Sequence, residues 1–147
     1  MMKLLILALF VVQVFAKKHI PKEPETLGNP QKRIIMPGTL WCGNGNKAKS
    51  YDDLGRLADL DSCCRDHDHC DRTVSAFSTD YGYENELSTT VSDCKCDKKF
   101  YKCMKAVKDS WKSAFTVGKL YFNYLKMPCL EFNEDGTKAT RGHSPKY

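Results

Sequence analysis

No apolar stretch in this 147-residue chain reaches the roughly 20 residues that a membrane-spanning helix needs; the longest, residues 4–15, is about a dozen. No segment has the alternating acidic positions, central glycine and closing glutamate of an EF-hand loop. Asn-x-Ser/Thr is absent too, so N-glycosylation is not expected. Residues 17–33 hold almost nothing apolar but do hold Pro21, Pro24 and Pro30, a composition unable to bury enough surface to offset chain entropy. Net charge is nearly missing from the rest. Residues 1–33 contain six of the 23 basic and two of the 18 acidic residues, so 17 face 16 in the remainder and leave a formal +1. That removes any charge-based case for nucleic-acid binding.

What is present begins with a leader. Lys3 precedes the apolar run, Ala16 closes it, and Lys17-Lys18 follow, the pattern of a secretory signal peptide over residues 1–16. Residues 17–33 are then a propeptide, with Lys32-Arg33 ahead of Ile34-Ile35 as a dibasic processing point. Residues 34–147 form one domain. Eight cysteines, all beyond the leader, imply a disulfide framework in a secreted, extracellular protein. The alternative is a zinc site built from Cys63, Cys64, His67, His69 and Cys70, as a cysteine-rich binding module would use.

Pro37 and three glycines make residues 34–46 a loop. A helix is expected over 57–74, with Asp59, Asp61 and Ser62 as N-terminal capping chemistry. A second is expected over 94–111, where Cys96, Phe100, Cys103, Val107 and Trp111 form one buried stripe. Its opposite face carries Lys98, Lys102, Lys105, Lys108 and Lys112, either a solvated surface or a patch drawn to anionic lipid headgroups. A third helical stretch covers 113–125, and residues 80–91 suggest a short hairpin. Cysteine-free residues 130–147 are expected to be a mobile tail.

Cys63 and Cys70 are two helical turns apart, as are Cys96 and Cys103, so each pair shares a helix face. Antiparallel helices can then be stapled as Cys63–Cys103 and Cys70–Cys96. Of the remaining four, Cys64 can reach back to the glycine-rich loop, which gives Cys42–Cys64 and Cys94–Cys129.

Within CCRDHDHC, His67 lies one turn from Cys63 and Cys70 and faces the second helix, where Asp97 follows Cys96. A histidine held so, with one ring nitrogen donating to a carboxylate, keeps the other free as a base. Asp68, turned about 100° away, faces the loop. If Cys42 bonds Cys64, carbonyls of Trp41, Gly43 and Gly45 join the Asp68 carboxylate in a partial oxygen cage of the kind calcium prefers.

The segments IIMPGTLWCGNGN, CCRDHDHC, CKCDKKFYKC and GKLYFNYLKMPC resemble the bee-venom type, or group III, of secreted phospholipase A2. The resemblance implies a mainly α, disulfide-rich fold: two antiparallel helices cross-linked by disulfides, a calcium-binding loop and a short β-hairpin. It implies one Ca2+ held by Trp41, Gly43, Gly45 and Asp68, a His67/Asp97 dyad, and Tyr121 hydrogen-bonding near the aspartate. The family's disulfide pairing agrees with the four bridges above. The activity implied is hydrolysis of the sn-2 ester of phosphoglycerides by a monomer at a phospholipid membrane surface. The indole of Trp41 would be spare for the membrane interface. The rival is a silent toxin using the same scaffold as a receptor or channel ligand. Such a variant is expected to lack the base or the calcium carboxylate, and His67, Asp68 and Asp97 are all present.

Overall fold

A computed structural model describes residues 34–147. The expected signal peptide and propeptide lie outside the described residues.

Three α-helices, short strands and four disulfides build the domain. Helix α1 is Ala58–Asp68, and its inward face is Leu60, Asp61, Cys63 and Cys64. It ends six residues before the expected boundary. His69 leaves helical geometry, and the β-branched pair Thr73-Val74 instead forms strand β1, antiparallel to β4 (Val91–Ser92). Between them, β2 (Thr79–Asp80) and β3 (Tyr83–Glu84) make a small hairpin around Tyr81-Gly82. Helix α2 is Cys94–Ala106, capped by Asp93, whose side chain accepts from the Lys95 amide at 2.7 Å. It buries Cys94, Asp97, Phe100 and Met104, a stripe at helical spacing.

The expected stripe therefore runs too far. Val107 is extended at ψ 127°, α2 is over, and Trp111 opens α3 (Trp111–Gly118) with 57% of its surface exposed. The break has a cause in α1. Asp59 is not the N-cap residue of its own helix, although its Oδ1 accepts the adjacent Leu60 amide at 2.9 Å. Its carboxylate also accepts from the amides of Asp109 and Ser110 and from the Ser110 hydroxyl, which ties the α2–α3 turn to the first turn of α1. Helix α3 runs on into a π-helical segment, Lys119–Tyr124.

Disulfides Cys63–Cys103 and Cys70–Cys96 clamp α1 to α2, Cys42–Cys64 draws the N-terminal loop onto α1, and Cys94–Cys129 ties α2 to strand β5. The main core gathers Trp41, Leu60, Phe100, Met104, Ala114 and Phe122 around that clamp. A second, smaller cluster of Val74, Val91, Leu130 and Ala139 sits under the strands.

Residues 130–147 are not the unstructured tail expected. Strands β5 (Pro128–Phe132) and β6 (Ala139–His143) pair antiparallel over five positions, from Pro128 with His143 to Phe132 with Ala139. Gly142 passes directly over a disulfide; a Cβ there would lie 2.6 Å from the Cys94 sulfur.

Hydrogen bonding by Ser110, foremost, holds the Asp59 carboxyl below its ordinary 3.8. A depressed folded-state value means that the tie is in force above 3.8 and is lost as pH falls through the lowered value. Thermal unfolding of the parent should thus lose more stability between neutral pH and about pH 3 than that of Asp59→Asn; equal acid losses would show that the tie contributes nothing.

Candidate active site

His67 stands in the last turn of α1, with a clamping disulfide on either side of it in sequence. Its Nε2 lies 2.7 Å from Oδ1 of Asp97 in the first turn of α2. The imidazole stacks on Phe100 with centroids 4.4 Å apart and meets the Tyr121 ring edge-on. Asp97 itself has no exposed surface. Its Oδ1 also accepts from the Tyr121 hydroxyl at 3.1 Å, and its Oδ2 accepts from the Ser144 hydroxyl. Three donors and a place near a helix N-terminus satisfy both oxygens of the buried carboxylate without water. As an acceptor, the Asp97 carboxylate takes a proton-bearing Nε2, which leaves the lone pair of the ring on Nδ1. Burial above all, and then the Asp97 charge, push the Tyr121 hydroxyl well above its ordinary value, so it stays a donor. A cavity of about 400 Å³ adjoins His67, lined also by Phe100, His69, Arg72 and Lys99.

The loop bearing Trp41, Gly43 and Gly45 is held from three sides. Cys42 bonds Cys64 of α1. Gly43 forms a bridge with Ile35, in which the Met36 amide donates to the Cys42 carbonyl and the Asn44 amide to that of Ile34. Glycine at 43 has a reason beyond carbonyl freedom: a Cβ would fall 2.0 Å from the Ile34 oxygen. Gly45 has φ +72°, the left-handed turn that glycine tolerates.

The third hold is Asp61, which sequence reasoning treated as a helix cap. It is fully buried, and its oxygens accept the amides of Leu40 at 2.8 Å, Trp41 at 2.9 Å and Gly55 at 2.8 Å. An acid on the apolar face of α1, beside Leu60 and three residues before Cys64, was the signal for this role. Ser144 was missed as well, and nothing local in the sequence marks it.

Asp68 has a different environment. The residue as a whole is exposed, yet protein around its carboxylate partly desolvates it and pushes its pKa up to about 6, against the opposing effect of His67 and His69. Among the described residues it makes no hydrogen bond or ion pair. A partly desolvated carboxylate lacking donors, at the end of the helix onto which Cys42–Cys64 draws the glycine-rich loop, is oxygen chemistry suited to a hard cation. The zinc alternative fails because the sulfurs of Cys63, Cys64 and Cys70 are all consumed in disulfides. Trp41 is not an interfacial anchor: it is 5% exposed, and its indole N–H donates to the Asp53 carbonyl at 2.7 Å.

A family model described as Phospholipase A2 matches residues 35–133, more than half of the chain. The chain belongs to the phospholipase A2 family. It is of the group III type and an enzyme of that family. It is 50% identical over 101 residues, 69% of either chain, to phospholipase A2 isozymes PA3A/PA3B/PA5 of Heloderma suspectum. With the phospholipase A2 of Apis mellifera it shares 45% identity over 120 residues, 80% of this chain and 71% of the relative. With the phospholipase A2 large subunit of Chersonesometrus fulvipes it shares 49% over 97 residues, 65% of this chain and 93% of the relative. The matched span includes Trp41, Asp61, His67, Asp68, Asp97 and Tyr121 and stops short of Ser144.

Replacing Asp61 by Ala strands three backbone amides, each costing about 1 kcal/mol or more when buried unpaired. Denaturant unfolding of the oxidised protein should show a loss of about 3 kcal/mol. A change within about 0.5 kcal/mol would show that the loop is held by Cys42–Cys64 alone.

Proposed function

We propose that this chain, secreted after removal of residues 1–33, hydrolyses the sn-2 acyl ester of phosphoglycerides at membrane surfaces in a calcium-dependent reaction that releases a fatty acid and a lysophospholipid. The observation that carries the reading is the 2.7 Å contact between His67 Nε2 and the buried Asp97.

His67 acts as general base through Nδ1. It takes a proton from a water whose oxygen bonds to the sn-2 carbonyl carbon. Nε2–H stays on Asp97, whose charge stabilises the imidazolium that forms. When the carbon–oxygen ester bond breaks, Nδ1 returns the proton to the departing alcohol oxygen. No side chain is acylated. Phe100, stacked on the imidazole, and Tyr121, edge-on to it, restrict its rotation. Tyr121 also donates to Asp97, a supporting role rather than a reacting one.

Trp41, Gly43 and Gly45 through their carbonyls, and Asp68 through its carboxylate, would hold the calcium ion. When bound, that ion supplies positive charge for the ester carbonyl oxygen and the substrate phosphate. Asp61 and Cys64 fix the loop; the end of α1 fixes Asp68. The exposed Lys98, Lys102 and Lys105 fall at helical spacing on one face of α2, whereas Lys108 and Lys112 lie beyond its end; the α2 lysines favour approach to anionic lipid by roughly 1 kcal/mol per lysine close to the surface. Among the described residues no helix is long and apolar enough to cross a membrane, so contact with lipid is peripheral in this reading. The enzyme works as a monomer.

The test is hydrolysis of phospholipid vesicles by the parent and by His67→Gln. The variant should keep the circular dichroism of the parent and lose roughly 10²- to 10⁴-fold in rate; turnover near that of the parent overturns the general-base assignment. In the same assay a calcium chelator should abolish activity and added Ca2+ restore it, whereas activity in chelator overturns the metal requirement. Binding to anionic vesicles should weaken as salt rises; salt-independent binding would leave the lysines as a solvated face only.

A further inference from the structure

Beyond β6 the chain turns back into the domain, and residues 144–147 contact the core around the dyad. The Ser144 hydroxyl donates to Oδ2 of Asp97. Three residues on, Tyr147 and Asn123 exchange two hydrogen bonds: the Tyr147 amide donates to Asn123 Oδ1 at 2.8 Å, and Asn123 Nδ2 donates to the Tyr147 carbonyl at 2.9 Å. The Tyr147 hydroxyl donates to the Met104 carbonyl of α2 at 3.3 Å. Its ring lies parallel to Phe122, within 6°, and meets Tyr101 edge-on. Gly118 makes room for it, since a Cβ there would lie 2.6 Å from the ring. The segment is thus fastened to α2, to the end of α3 and to the π-helical turn that also carries Tyr121.

From this arrangement we infer that Ser144 is a positioning residue for the His67–Asp97 pair, and that residues 144–147 act as a strap which sets it; this rests on the general-base reading of His67. His67 and Tyr121 both use Oδ1, so without Ser144 the second oxygen of a fully buried carboxylate has no donor. The terminal torsion of an aspartate is broad and roughly two-fold. A carboxylate held at one oxygen only can swing, and Nε2 of His67 swings with it. Gripping Oδ2 from the opposite side fixes the carboxylate plane, and through the 2.7 Å contact it fixes the direction in which Nδ1 points. Ser144 touches neither the proposed base nitrogen nor any proposed calcium ligand, so its effect belongs to turnover and not to substrate binding. It also lies outside the span matched by the family model, which ends at residue 133.

The experiment is steady-state kinetics of the full chain on vesicles at saturating Ca2+, comparing the parent with Ser144→Ala, Ser144→Thr and His67→Gln, with thermal unfolding of each. Ser144→Ala should lower kcat about tenfold, the effect of losing one hydrogen bond to a charged group, with KM within about twofold of the parent. Ser144→Thr, which keeps the hydroxyl, should recover most of kcat. Parent-like kcat in Ser144→Ala overturns the inference. So does a loss of thermal stability with the kinetic constants unmoved, because the hydroxyl then only satisfies a buried oxygen. An inactive His67→Gln beside an unaffected Ser144→Ala sinks the strap alone; an active His67→Gln sinks the base assignment and the strap with it.

Discussion

A carboxylate with no exposed surface must be met by donors from within the protein, and at Asp97 those donors come from three separate parts of the chain. His67 arrives on α1, Tyr121 on the π-helical turn and Ser144 on the strand-following segment, while Asp97 itself sits on α2. The desolvation cost of burying an ionised aspartate amounts to several kcal/mol unless such partners are present. Four parts of the chain are therefore constrained by one side chain. The two disulfides between α1 and α2 make the constraint tolerable, because they fix the distance between His67 and Asp97 independently of the hydrogen bond.

Asp61 repeats the device on the other face of α1. It meets backbone amides instead of side chains, and it orders a loop instead of a ring. Asp61 and Asp97 thus divide the work between them: one shapes the carbonyl-bearing loop, the other orients the imidazole. Cys63 and Cys64, adjacent in sequence, send disulfides in two directions, one to α2 and one to the loop, and so join the two halves at a single point of α1. Asp68 is the exception among these acids, exposed yet partly desolvated at its carboxylate and given no donor among the described residues, which fits the cation role proposed for it.

Much of this was visible in the sequence because it depends on spacing within a helix. The seven-residue intervals of Cys63 to Cys70 and Cys96 to Cys103 define one face each, and the positions of His67 and Asp97 follow from those faces. What escaped was decided by contacts distant in sequence. Val74 joins a strand rather than a helix because Val91 and Leu130 offer it a second core. Trp111 starts a new helix because Asp59, 51 residues before Ser110, pins it. The last eighteen residues have the composition of a tail, yet a five-pair strand ladder and one tyrosine ring hold them, and neither is a property of local composition. Asp61 was read as a cap because acids near a helix start usually are; its burial comes from the loop that folds over it.

The central claim is that Asp97 fixes the protonation of His67, and nitrogen NMR of histidine-labelled protein at neutral pH tests it most directly. The neutral ring of residue 67 should carry its proton on Nε2, with Nδ1 bare. Finding the proton on Nδ1 would contradict it, because the nitrogen assigned to the attacking water would then have no lone pair to offer.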